Sequence, residues 1–189
     1  MTSSTTFGYI SDIGDVTQSD IDVLLRIRNM DGIDERLRSA INKTIGQLGL
    51  RELAGEISAD LESESPLLRQ SVALAVLEMG IVLDSTCDRL IKTATDVSAG
   101  VRQATMMALG AVCLPSNERA EAAVARAISE DEHERVRTAA IDAASSVRWK
   151  GPRMREALAK ARDDEGRSPW ERHRARQVSL ELGFMSAVK

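Results

Sequence analysis

Apolar residues in this chain recur at the three- and four-residue spacing of a helix face, and no stretch keeps the alternation of a half-buried strand. Leu50, Leu53, Ala54, Ile57 and Leu61 form one such stripe, and Ala175, Val178, Leu182 and Met185 form another. From Leu67 to Met79 the apolar residues run almost all the way round, which is the mark of a buried central helix. Punctuation divides the pattern: Ser19 as a cap, Asp31-Gly32, Gly49, Ser65-Pro66, Leu114-Pro115, Ser116 or Asn117 as a cap, and Ser168-Pro169. The predicted elements are ten helices in five antiparallel pairs. These are 19–30 with 34–48, 51–61 with 66–82, 85–95 with 98–113, 118–130 with 134–147, and 152–162 with 169–187.

The second helix of each pair repeats a short signature. An apolar residue precedes an arginine in Leu37-Arg38, Leu68-Arg69, Val101-Arg102 and Val136-Arg137, and a looser copy falls at His173-Arg174. Two residues after the arginine stand Ala40, Ser71, Ala104 and Ala139, and six after it Thr44, Ala75, Ala108 and Ala143. Small residues at those offsets describe a helix face packed closely on its neighbours, and a period in the thirties is that of stacked helical hairpins. The last copy is more polar, as expected of a terminal repeat with no neighbour on one side.

The stretch 96–113, DVSAGVRQATMMALGAVC, resembles the HEAT-like repeat family, especially its short bacterial forms. The match rests on Asp96, Val101, Arg102, Ala104, Ala108, Leu109 and Gly110, and again on Asp131, Val136, Arg137, Ala139 and Ala143. The tetratricopeptide and ankyrin signatures are absent. The resemblance covers about residues 20–189 and implies an all-α fold, an α-solenoid of about five antiparallel hairpins. Residues 1–19 are read as a partly flexible tail and 20–189 as a single repeat domain. The resemblance also implies a structural role for the arginines. Arg38, Arg102 and Arg137 follow Asp31, Asp96 and Asp131 closely enough to bond the preceding turn or its acidic group.

An aromatic content of only 3% suits a core built from Ala, Leu, Ile and Val. No apolar run is long enough for a membrane span and no signal segment opens the sequence, so a cytoplasmic protein is expected. Cys87 and Cys113, the two cysteines, are read as buried free thiols. Charge is lopsided. Residues 1–132 hold 12 Lys and Arg against 21 Asp and Glu, whereas residues 133–189 hold 13 against 8. The basic end concentrates Arg148, Trp149, Lys150, Arg153, Arg155, Arg172 and Arg176, where cations flank an aromatic as in a polyanion site.

A second candidate surface follows from helix geometry. Residues one and five after each ladder arginine point away from the small inward positions: Ser39 and Lys43, Gln70 and Leu74, Gln103 and Met107, Thr138 and Asp142. Leu74 and Met107 ringed by polar residues have the make-up of an interaction patch. His133 and His173 have no second ligand at metal spacing, and no phosphate loop, nucleophile elbow or HExxH occurs, so neither metal, cofactor nor catalytic residue is predicted. The expected function is a non-enzymatic protein-binding scaffold or adaptor, such as an assembly factor or immunity-type protein, with self-association a further outcome of the same patch. The alternatives are nucleic-acid binding through the basic end and, last, an enzyme like the phycobilin lyases, which share the short repeats.

Overall fold

The computed structural model describes residues 16–80 and 84–186. The chain divides into two compact units at Asp34 and Glu35. The first unit holds α1 (Gln18–Arg28), opened by a capping box in which Thr17 accepts from the Asp20 N–H while the Asp20 carboxylate accepts from Thr17. The proposed tail, 1–19, lies almost wholly outside the described residues.

The second unit holds α2 (Glu35–Gln47), α3 (Ala54–Ile57), α4 (Pro66–Met79), α5 (Asp84–Thr93), α6 (Ala99–Val112), α7 (Glu118–Glu130), α8 (Glu134–Val147), α9 (Pro152–Asp163) and α10 (Pro169–Glu181). No strand occurs among the described residues. The even-numbered helices form one row, each packed on the next, and α5, α7 and α9 form the row behind. This is the α-solenoid expected from the periodicity. α7 and α8 have the predicted bounds. The helix predicted from residue 51 is instead a short α-turn, α3, between 3-10 turns at Arg51–Leu53 and Ser58–Glu62. Gly55 and the buried polar residues Ser58 and Asp60 weaken it, and the Asp60 carboxylate accepts from Arg38 and Asn42 of α2 rather than facing solvent. α4 closes at Gly80, whose left-handed conformation (φ 59°) ends the helix before the predicted residue 82. The last helix stops at Glu181, short of the predicted 187.

Close packing along the even row depends on small residues. A methyl group on Gly46 would lie 2.5 Å from the Ala75 Cα, and one on Gly110 would lie 2.8 Å from the Ala143 Cα. Both pairs join position eight after one ladder arginine to position six after the next. The core between the rows is apolar, with Val72, Met106, Leu109, Ile128, Ile141 and Leu158 fully buried.

The helix starts correct the repeat register. Arg38, Arg69, Arg102 and Arg137 are each the fourth residue of their helix, and in α10 the fourth residue is Arg172, not Arg174. Arg172 follows Arg137 by 35 residues, the same interval as Arg137 after Arg102. Ala175, Val178 and Leu182 then fall on buried positions equivalent to Ala140, Ala143 and Val147. The apolar residue before the arginine is replaced in this copy by Glu171, itself fully buried.

Candidate functional site

The arginines bind two turns at once. In each of the last three closed rungs one guanidinium nitrogen takes both carbonyls of its own turn: Arg69 bonds Ser63 and Glu64 O, Arg102 bonds Asp96 and Val97 O, and Arg137 bonds Asp131 and Glu132 O. The opposite edge, Nε with the other terminal nitrogen, grips a carboxylate of the following repeat. Arg38 holds Asp60 at 3.1 and 2.6 Å, Arg69 holds Asp96 at 2.6 and 2.9 Å, Arg102 holds Asp131 at 2.6 and 3.0 Å, and Arg137 holds Glu171 at 2.7 and 2.8 Å. The expectation that Arg102 and Arg137 bond their own turns holds for the backbone. The acidic side chains of those turns belong instead to the arginine one repeat earlier.

Each carboxylate also organises its helix start, Asp96 accepting from the Ser98 N–H and Asp131 from the His133 N–H. Burial raises the pKa of Asp96, but the Arg69 hydrogen bond, the Ser98 N–H and the charges of Arg69 and Arg102 outweigh it, leaving the carboxyl below its ordinary range. Asp131 is lowered in the same way, burial being outweighed by Arg102 and the His133 N–H. Glu171 closes the series beneath two arginines, Arg137 and Arg167, the latter also bonding the carbonyls of Ile128 and Ser129. Bidentate, shielded pairs of this kind have no free donor edge for a ligand.

Four residues further along the same helices the surface is different. A groove of about 620 Å³ runs across α6, α8 and α10, lined by Gln103, Met107, Gly110, Glu134, Arg135, Thr138, Ala139, Asp142, Ala143, Ser146 and Trp170. It brings together four of the candidate partner residues, Gln103, Met107, Thr138 and Asp142. Lys43, Gln70 and Leu74 lie on the preceding helices outside it, Leu74 half-buried and Gln70 with its amide against Gly100. Two apolar side chains flank α8 in the open: Met107 on α6 is 38% exposed and Trp170 on α10 is 62% exposed. Between them the small residues Gly110, Ala139 and Ala143 leave the space. The polar lining is partly committed, since Asp142 accepts from Arg174 Nε at 2.6 Å and Glu134 from the Ser168 hydroxyl.

Trp170 lies in the predicted last helix and near the cations of the basic end, but with the last copy set on Arg174 it falls four residues before the ladder arginine rather than two. In the true register it is the equivalent of Arg135, two residues before the ladder arginine, on a face that every repeat exposes at least in part.

The candidate residues of the basic end are placed in several different settings. Trp149, expected among the ligand-facing cations, is completely buried, so no aromatic platform lies between Arg148 and Lys150. Arg148 closes α8 in the left-handed conformation (φ 62°), which turns the next side chain inward. Lys150 and Arg155 border one shallow hollow with Glu156, and the Arg155 guanidinium lies 5.2 Å from the centre of the Phe184 ring. Arg153 is exposed. Arg172 and Arg176 border a separate hollow with Arg162 and His173.

The cysteines also depart from expectation. Cys87, in the first half of α5, and Cys113, at the end of α6, form a disulfide with their Cα atoms 6.1 Å apart. The antiparallel hairpin brings the start of one helix to the end of the other, a long-range meeting that helical spacing around each cysteine alone does not reveal. No group of three or more His, Cys, Asp or Glu among the described residues could hold a metal, and no described helix is long and apolar enough to cross a membrane.

Residues 87–178 match the HEAT repeats family. No curated protein matches the sequence. Among solved structures the chain is similar to a designed armadillo repeat protein in complex with the peptide (KR)4, with a TM-score of 0.62, 15% identity and coverage of 87% of this chain and 82% of that one. It is also similar to computationally designed armadillo repeat proteins for modular peptide recognition, with a TM-score of 0.60, 14% identity and the same coverages. At such identities the likeness is one of fold.

Proposed function

With residues 87–178 matching the HEAT repeats and the chain folded as an armadillo-type α-solenoid, we propose that this protein is a non-enzymatic scaffold that holds a segment of a partner protein in the groove across α6, α8 and α10. The observation that carries the proposal is the pair of exposed apolar side chains, Met107 and Trp170, on either side of a space left by Gly110, Ala139 and Ala143. An apolar side chain of the partner sits between them, while Gln103 and Thr138 serve its backbone. A central apolar anchor inside a polar rim is the arrangement that dominates interface energetics. One of the similar designed proteins is itself in complex with a peptide, which supports a segment rather than a globular face as the occupant. That peptide is basic, whereas the lining here mixes Glu134 and Asp142 with Arg135, so the anchor is assigned to apolar contact rather than to charge.

The test is a photo-activated cross-linker at position 138 of the full-length chain in its native cell. The proposal expects one dominant protein adduct, absent when Trp170→Glu is added. Cross-linking from position 155 with none from 138 would move the working surface to the basic end.

A further inference from the structure

The groove is lined by Glu134, Arg135 and Asp142 as its charged residues, and they are not equally free. Asp142 accepts from Arg174 Nε at 2.6 Å. Glu134 accepts from the Ser168 hydroxyl at the start of α10, where the helix N-terminus favours a carboxylate. Arg135 is exposed, and among the described residues no hydrogen bond, ion pair or ring contact engages its guanidinium. An arginine left in this state keeps its whole donor fork for a ligand.

The repeat places that cation beside the anchor space. Arg135 stands two residues before the ladder arginine of α8, a position taken by Gly100 in α6 and by Trp170 in α10. The neighbouring helix on one side therefore has no side chain at this position, and the one on the other side carries the exposed indole. Along α8 itself, Arg135, Ala139 and Asp142 share one face at the spacing of successive turns, so Arg135 starts about 6 Å from Ala139 and the space above it. The two ends of that face differ. Arg174 neutralises the Asp142 end, while the Arg135 end is an open cation. An apolar side chain held between Met107 and Trp170 has this charge within reach of its chain neighbours.

Resting on the groove reading, we propose that Arg135 selects the partner by charge: the bound segment carries an Asp or Glu close to its apolar anchor, and that carboxylate takes the Arg135 fork. An extended chain advances about 3.3 Å per residue, so the acid lies within about two residues of the anchor. Arg135 thereby sets which apolar segments are accepted. A basic neighbour would meet a like charge and find Asp142 already paired, so it is rejected by the same residue that rewards an acid.

The test selects a phage-displayed library of unconstrained random peptides against the purified full-length protein. The enriched peptides are expected to share an apolar residue with an Asp or Glu within about two positions. Against Arg135→Glu the favoured neighbour should become Lys or Arg, and against Arg135→Gln the charge preference should vanish while the apolar residue remains. For one enriched peptide, replacing its acid by the amide should weaken binding to the wild type about threefold to fivefold at low salt. The same replacement should leave binding to Arg135→Gln unchanged, which ties the loss to this one pair. Trp170→Glu separates this inference from the reading it rests on. Peptides that need Trp170 but carry no acid, or carry the same acid against Arg135→Glu, overturn the charge selection and leave the groove standing. No enrichment, or peptides indifferent to Trp170→Glu, removes the groove and this inference with it.

Discussion

Two strips run along the even-numbered helices, one turn apart, and they differ in what remains free. The first carries Arg38, Arg69, Arg102 and Arg137, each locked to the following repeat. The second carries Lys43, Leu74, Met107 and Asp142, which run from a cation through two apolar residues to a carboxylate, and it opens into a groove at α6 to α10. The strip with the strictest repetition is the brace, and the more variable strip borders the groove proposed for recognition. A solenoid must join every repeat to the next in the same way, so its mechanical residues recur. Nothing requires its ligand-facing residues to do so.

The sharpest way to break this contrast is Arg102→Ala. It leaves Asp131 and two turn carbonyls without their donor in a shielded site, and about 3–5 kcal/mol of stability should be lost, read from denaturant unfolding. A loss under 1 kcal/mol would make the ladder ornamental. Acid should act on the same rungs. Asp96 and Asp131 have folded-state pKa values below their ordinary ones, so their contribution is fully present above pH about 4 and disappears as the pH falls through the lowered values. Stability measured from pH 6 to pH 2 should therefore fall only below about pH 4, and the Arg102→Ala variant should show a shallower fall. A flat profile would remove the carboxylates from the account of the brace.

Reduction comes next. The Cys87–Cys113 disulfide spans 26 residues, and opening a loop of that length should lower stability by about 3 kcal/mol, seen as a lower melting temperature in dithiothreitol that Cys87→Ser with Cys113→Ser reproduces. Gly110→Ala is smaller. Its new methyl meets the Ala143 backbone, so α6 and α8 must separate slightly, at about 1–3 kcal/mol. Because Gly110 also lines the groove, this variant should weaken partner capture as well as stability, which links the two strips. Capture unchanged beside a lowered melting temperature would separate them.

The hairpins were legible because helix caps and periodicity are local. Ser168 caps α10 as expected, Asn117 is the one of the two candidates, Ser116 and Asn117, that caps α7, and the bounds of α7 and α8 are those predicted. The segment 51–62 was read as one helix because its apolar stripe is regular. What breaks it is the draw of Arg38 and Asn42 on Asp60, a partner 18 to 22 residues away that no local pattern contains. The disulfide is likewise a meeting of distant residues. The two tryptophans are placed by features that residue type does not show: Arg148 turns the chain so that Trp149 enters the core, while Trp170 becomes a groove residue only when the last repeat is aligned by its helix start. In that terminal copy buried Glu171 replaces the apolar landmark, so the match by residue type slipped by two positions.

The most direct measurement is the melting temperature of Met107→Glu with Trp170→Glu, taken beside cross-linking from position 138. Both side chains are exposed and neither takes part in the ladder, so the melting temperature should stay within about 2 °C of wild type while the cross-linked partner disappears. A fall of several degrees would place these residues in the fabric of the solenoid. A partner captured as before would show that the groove across α6, α8 and α10 is not the working surface.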